Sequence, residues 1–233
     1  MNVLVVDVGG SNLKCIATGQ TEPRTVNTGP DFTPARLVES VVPLIAGWSW
    51  DVASIGFPGP IKDNRVLRDP HNLGPGWVGF DFRTAFGKPV RVLNDAAMQA
   101  LGSYRGGHML FLGLGTGLGS AMVIDGAVHP LELAHLPYRK NRSYEDVLGD
   151  RGMARLGRKR WRKAVHGVLE LMHQSLLPDY IVVGGGNAKR LDTLPPYAVL
   201  GSNKNAFRGG FMLWSEAELE PSENAPPTSV HNA

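Results

Sequence analysis

The chain opens with apolar runs too short for helices and too regular for loop. Val3 to Val8 is apolar except for Asp7 and rich in β-branched residues, which predicts a buried strand. Gly9 and Gly10 break it as a tight turn, Leu13 to Thr18 reads as an antiparallel partner, and Thr25 to Thr28 as a third strand. In "DFTPARLVESVVPLIAGW" the apolar positions Leu37, Val41, Val42, Leu44 and Ile45 take helical spacing, and the Thr-Pro start suits a first turn. "VASIGFPGPI" predicts a strand running into a Gly-Pro loop, and "RVLNDAAMQALG" a strand that turns into a helix at Asn94-Asp95.

The second half restarts this order. "HMLFLGLGTGLGSAMVIDGAVH" reads as strand, glycine loop, strand and a hairpin turn at Asp125-Gly126. Trp161, Val165, Val168, Met172 and Leu176 predict one helix over Met153 to Leu177, stopped by Pro178. "YIVVGGG" supplies another strand and glycine turn, and "GSNKNAFRGGFMLW" a short closing helix. Strand, glycine turn and hairpin strand therefore occur twice, at 7–14 and 113–120. Two facing glycine loops suit the two sides of a polyphosphate in a cleft.

Composition narrows the class. With 233 residues, 42% hydrophobic and 19% charged, the chain is long enough for one large globular domain or two small ones. No apolar run is long enough to span a membrane, and the start lacks a signal-peptide pattern, so a cytoplasmic protein with no membrane partner is expected. The single cysteine, Cys15, excludes an internal disulfide framework and a Cys-rich zinc site. The net charge of +3 is uneven: the tail from Ser215 to Ala233 holds four glutamates and no Lys or Arg, leaving 24 basic against 17 acidic side chains before it. That tail is expected to be disordered. Arg139 to Lys163 carries ten Lys or Arg, either a solvated helix face or a track for a polyanion.

"VVDVGGSNLK" also admits two readings. It is a hairpin turn next to a solvated acid, or a phosphate site in which glycine amides, Ser11 and Asn12 face an anion while Asp7 holds a cation. A Walker loop is absent, because the Gly87-Lys88 pair is followed by Pro89. "GLGTGLGS" does not fit the dinucleotide G-x-G-x-x-G pattern. Asn94-Asp95 suits a helix N-cap pair as well as a catalytic carboxylate.

DVGGSN (7–12), GFPGPI (56–61), LNDA (93–96), GLGTGLGS (113–120), ELAH (132–135) and VVGGG (182–186), in this order, resemble the ROK family of sugar kinases, most closely its polyphosphate-glucokinase branch. The resemblance covers about residues 1 to 214. It implies the actin-like, hexokinase-type α/β fold: a first domain over 1–95 completed by 205–214, a second over 96–204, and a cleft between them. It implies transfer of a phosphoryl group from ATP or inorganic polyphosphate to the 6-hydroxyl of glucose, or of a related hexose. A non-catalytic sugar sensor is the alternative.

Residue by residue, Asp95 matches the catalytic base. Gly59, Asn72, Asn94, Glu132, His135 and Glu145 match sugar-contacting positions. Asp7 matches the acid that holds Mg²⁺ through water, with Gly9, Gly10, Ser11, Asn12 and Lys14 near the transferred phosphate. Gly115, Thr116 and Gly117 would hold the other phosphates, and Gly184, Gly185 and Gly186 would lie by the nucleoside. Two departures matter. The Cys-rich zinc motif of many ROK proteins is replaced by "LPYRKNRSYEDVLG", so no zinc is expected, and Ala134 stands where the family has glycine, which puts sugar identity in doubt. The repressors' DNA-binding segment is not present, so no nucleic acid is expected, and the family implies a homodimer.

Overall fold

A computed structural model describes residues 1–139, 141–202 and 204–215; the acidic tail beyond Ser215 lies outside the described residues. Two five-stranded sheets carry the chain. The first contains β1 (Val3–Val8), β2 (Asn12–Ala17), β3 (Arg24–Asn27), β4 (Val52–Phe57) and β7 (Val90–Asn94) in the order β3-β2-β1-β4-β7. A small hairpin of β5 (Ile61–Lys62) and β6 (Arg65–Val66) lies between the last two. The second contains β8 (His108–Leu114), β9 (Leu118–Ile124), β10 (Ala127–Leu131), β11 (Tyr180–Gly184) and β12 (Ala198–Leu200) in the order β10-β9-β8-β11-β12. In each sheet the hairpin strands pair antiparallel, and the later strands join parallel to the central one. The twofold recurrence of strand, glycine turn and strand is thus a recurrence of sheet topology.

The helices follow from local chemistry. In α1 (Pro34–Leu44) the Thr33 hydroxyl accepts from the Arg36 N–H and Pro34 occupies the first turn, where its missing N–H costs nothing. The β9–β10 turn places Asp125 and Gly126 at φ 48° and 89°, the positive values that an Asp-Gly hairpin turn requires. The short α2 (Phe82–Phe86) is capped by the Asp81 carboxylate. α4 (Tyr144–Leu148) starts in a reciprocal capping box of Ser143 and Asp146. The helix expected over Met153 to Leu177 is two helices, α5 (Asp150–Leu156) and α6 (Arg158–Leu176). Gly157, at φ 72°, breaks them where apolar spacing alone shows no interruption. Leu177, also left-handed at φ 51°, ends α6 before Pro178.

α3 (Asp95–Ser103) touches strands of both sheets, and α7 (Asn205–Met212) packs on α3, β1 and β4. The two helices meet through small residues: a methyl on Gly102 would overlap the Asn205 carbonyl, and one on Gly209 the Met98 carbonyl. α7, with Phe207 and Phe211, and Trp214 just beyond its end close one face of the first sheet over Val3, Val5, Ile16 and Val52. Ser54 Oγ donates to the Gly210 carbonyl at 2.5 Å and accepts from Trp214 Nε1 at 3.0 Å. The other face of that sheet packs on α1 and the aromatic residues Phe32, Phe57, Trp77 and Phe82. α6 covers the second sheet with Trp161, Val165, Val168 and Leu169. No helix among the described residues is long and apolar enough to cross a membrane.

Gly102→Ala is expected to cost about 1–3 kcal/mol, because the backbone of α7 must retreat from the added methyl. Gly167→Ala in α6, where a Cβ meets nothing within 4 Å, should instead be neutral or stabilising by up to ~1 kcal/mol. Urea unfolding of the two variants checks the contrast.

Candidate active site

Asp7 and Asp95 face a common space from different elements. Asp7 lies at the end of β1, opposite Lys14 on β2 and Gly56 on β4. A Cβ on Gly56 would overlap Met98 Cε, so the glycine makes room for that side chain, while Asp7 Oδ1 lies at ordinary contact distance, 3.5 Å. Burial raises the Asp7 pKa above its ordinary value, partly opposed by the Lys14 ammonium.

Asp95 is the first residue of α3. Asn94 caps that helix: its Oδ1 accepts from the Ala96 N–H at 3.0 Å and the Ala97 N–H at 3.3 Å, and its Nδ2 donates to the Gly59 carbonyl at 3.1 Å. The capping reading of Asn94 is therefore correct. Its amide nonetheless keeps one N–H for a ligand. Asp95 accepts from the Ala96 N–H at 2.8 Å. Burial, then the Asp7 carboxylate and more weakly that of Glu132, push the Asp95 pKa up to about 7, against the pull of backbone N–H groups. Three acids are thus within electrostatic reach of one another.

Glu132 and His135 flank a single 3₁₀ turn, with Oε2 and Nε2 3.4 Å apart and both side chains more than half exposed. Ser120 anchors this turn, its Oγ donating to the Leu131 carbonyl at 2.9 Å and accepting from the Leu133 N–H at 3.3 Å. Ala134, the departure from the family pattern, is buried in the core behind the second sheet.

The first glycine turn is pinned from within and from above. The Gly9 N–H donates to the Asn12 carbonyl at 2.9 Å, and Thr28 donates its hydroxyl to the Gly9 carbonyl at 2.6 Å and its N–H to the Ser11 carbonyl at 3.0 Å. Asn72 lies directly over Gly10, in the space a side chain there would need. Ser11 and Asn12 are exposed.

The second glycine turn is clamped by residues far along the chain. The Asp150 N–H, at the start of α5, reaches the Gly115 and Thr116 carbonyls at 3.1 and 3.3 Å. The buried Asn187 donates its amide to the Gly115 carbonyl at 3.1 Å and to Asp150 Oδ1 at 2.7 Å. The Glu145 carboxylate, on α4, lies against Gly117: a Cβ there would stand 2.5 Å from Oε2. Gly119 brings β9 onto the first turn of α3, its Cβ position 2.6 Å from the Ala96 methyl. This contact ties the turn to the neighbourhood of Asp95.

The third glycine run has mixed duties. Gly184 packs on the Phe111 ring, Gly185 sits at φ 81° against the Leu114 carbonyl, and Gly186 faces open space. Thr28, Ser120, Asp150 and Asn187 escape the sequence reading. Each acts through a backbone group distant along the chain, and the only local signal is that Asn187 directly follows the glycine run.

Among the described residues no three His, Cys, Asp or Glu side chains converge as ligands for a metal ion. Asp7, with Asp95 opposite, fits the sparser demand of Mg²⁺, which keeps waters and takes one or two carboxylates plus phosphate oxygens.

The ROK family matches residues 3–130 of the chain. The polyphosphate glucokinase of Mycobacterium tuberculosis (strain ATCC 25618 / H37Rv) is 27% identical over 217 residues, covering 82% of this chain and 80% of that protein. The N-acetylmannosamine kinase of Salmonella newport (strain SL254) is 28% identical over 142 residues, covering 54% of this chain and 48% of that protein. The crystal structure of the inorganic polyphosphate/ATP-glucomannokinase of Arthrobacter sp. strain KM superposes with a TM-score of 0.76 at 24% identity, over 89% of this chain and 96% of the other. A ROK family glucokinase from Streptomyces griseus, in complex with glucose and AMPPNP, gives 0.70 at 18% identity, over 90% and 97%. These matches establish the actin-like α/β fold.

Asp95→Asn should stabilise the protein in divalent-free buffer. Because Asp95 titrates near 7 when folded and near the ordinary 3.8 when unfolded, its ionisation costs nothing below pH ~4. The cost grows as pH rises to 7 and is complete above it. Urea unfolding should show the variant ahead by about 1–3 kcal/mol at pH 8 and by less at pH 5. An equal gap at both pH values would contradict this electrostatic account.

Proposed function

The chain belongs to the ROK family, and from that premise we propose that it is a sugar kinase transferring a phosphoryl group from ATP or polyphosphate to the 6-hydroxyl of glucose, with Asp95 as general base. The observation that carries this reading is the condition of Asp95. It is a carboxylate at a helix start, with its pKa pushed up to about 7 by burial and by Asp7, the acid two residues before the first glycine turn. A base poised near the working pH takes a proton from a hydroxyl without being permanently neutralised. As the 6-oxygen attacks the terminal phosphorus, its proton passes to Asp95, the new O–P bond forms, and the bridging O–P bond breaks. ADP, or a polyphosphate one unit shorter, leaves.

The surrounding residues divide the remaining work. Asn94 would offer its spare N–H to the sugar, with Gly59, Asn72, Glu132, His135 and Glu145 around the ring. The paired carboxylate and imidazole of Glu132 and His135 supply both an acceptor and a donor, as neighbouring sugar hydroxyls require. Gly9, Gly10, Ser11, Asn12 and Lys14 would meet the transferred phosphate, and Gly115, Thr116 and Gly117 those behind it. The 184–186 turn would stand beside a nucleoside. Mg²⁺ held by Asp7 would neutralise charge on the phosphate oxygens. In this reading 1–95 with 205–214 forms one domain and 96–204 the other, closing on the ligands to exclude water.

Glucose 6-phosphate formation with Mg²⁺ and either ATP or long-chain polyphosphate tests the assignment. Asp95→Asn should lower the rate at least ~100-fold, the lower end of general-base contributions. For the wild type, kcat/KM should fall tenfold per pH unit below about 7, where Asp95 is protonated. Turnover by Asp95→Asn close to wild type would remove Asp95 from the chemistry.

A further inference from the structure

A cavity of about 540 Å³ opens between Tyr138, Arg139 and Arg142 on one side and helices α4, α5 and α6 on the other, and none of its lining residues belongs to the candidate active site. Its floor is apolar, with Val147, Leu156 and Ala164 contributed by the three helices in turn. Its rim is cationic: Arg139 and Arg142 ahead of α4, Arg155 from α5, and Arg160 and Lys163 from α6, with no acidic residue in the lining. Among the described residues none of these five charged groups has a carboxylate within 4 Å. Arg155 donates to the Asp146 carbonyl at 2.6 Å, and Arg139 lies over the Tyr138 ring. The Asp146 carboxylate, which Arg142 and Arg155 both feel, is occupied by the Ser143 N–H and hydroxyl at 3.0 and 3.1 Å. Arg160 and Lys163 are three apart on one helix face, a spacing at which like charges repel. The lining of the cavity thus gathers five positive charges and no negative one, with the Asp146 carboxylate behind it the acid that Arg142 and Arg155 feel.

The same helices hold the second phosphate turn. Glu145 of α4 lies against Gly117, and the first N–H of α5 bonds the Gly115 and Thr116 carbonyls. From Asp150 to Arg155 is five residues of α5, roughly 8 Å at the helical rise. Resting on the kinase reading above, the geometry points to this cavity as the holding site for the distal part of an inorganic polyphosphate chain whose phosphates next behind the transferred one lie at Gly115 to Gly117. The flexible, multiply charged chain can occupy the turn and the cavity together. The triphosphate of ATP ends at the turn. The apolar floor strengthens the rim by lowering the local dielectric. A second copy docked by this same face would set five cations against five, so self-association does not satisfy the charge.

The test is the full-length Arg160→Gln/Lys163→Gln double variant, whose two exposed sites accept a good helix former. Binding of fluorescently labelled long-chain polyphosphate, without sugar, is followed by anisotropy at several salt concentrations. Donor kinetics are measured with long-chain polyphosphate, tripolyphosphate and ATP. The variant should bind the long chain ~10-fold or more weakly, with a log–log salt slope shallower by between one and two. Its KM for that donor should rise in parallel, while constants for ATP and tripolyphosphate stay within about twofold. Unchanged long-chain affinity, or an equal loss with ATP, overturns the proposal. So does displacement of the labelled chain from the wild type by an oligonucleotide as readily as by unlabelled polyphosphate. If no donor supports phosphoryl transfer but the variant still loses polyphosphate binding, the kinase reading falls and the holding site stands. If polyphosphate phosphorylates glucose equally well with both proteins, the holding site falls and the kinase reading stands.

Discussion

A carboxylate that is to take a proton near neutral pH must be withdrawn from water without being paired with a cation, and the first turn of α3 meets that demand. Desolvation and the field of Asp7 lift Asp95, while its own helix N-terminus keeps the ionised form accessible. The rest of the structure positions this turn. Asn94 fixes its start and joins it to the Gly59 loop. Ala96 touches β9 through Gly119, and at the far end Gly102 admits α7 to backbone contact. Bulk at either crossing would move the acid relative to the turns that face it.

Much of this was legible in the sequence, because it is written in local pattern. The strands around Asp7, the glycine turns, the Asp125-Gly126 hairpin and the helix start at Asn94-Asp95 all follow from alternation and turn chemistry over a few residues. The family likeness carried the fold, and the strand order of both sheets agrees with the repeat seen in the chain. The break at Gly157 was not legible: glycine is tolerated within helices, and the apolar stripe runs on beyond it. Asn187 was invisible for another reason. Its partners, the Gly115 carbonyl and Asp150, lie 72 and 37 residues away, and nothing in a short window reports a bond over that distance. The two readings of Asn94 prove compatible, since one amide caps the helix and retains a donor.

The two glycine turns have the same place in their sheets but are secured differently. The first is held by Thr28, just past the end of β3 in the same hairpin system, and is roofed by Asn72. The second is held by Asp150 and Asn187, which arrive from a helix and from the end of a parallel strand. The second turn is therefore mechanically continuous with α4 and α5. Their displacement would reach its carbonyls directly.

The bond from Ser54 to Gly210 spans 156 residues, and the one from Trp214 to Ser54 spans 160. The helix that seals the first sheet is thus made after everything it covers. At synthesis rates of ~5–20 residues per second, Val3, Val5, Ile16 and Val52 emerge roughly 8–40 s before the segment that shields them. During that interval the nascent chain carries an open apolar sheet face. A ribosome that stalls within the second half would leave that face without its cover, so the shielding of the earliest strands waits on the last dozen described residues.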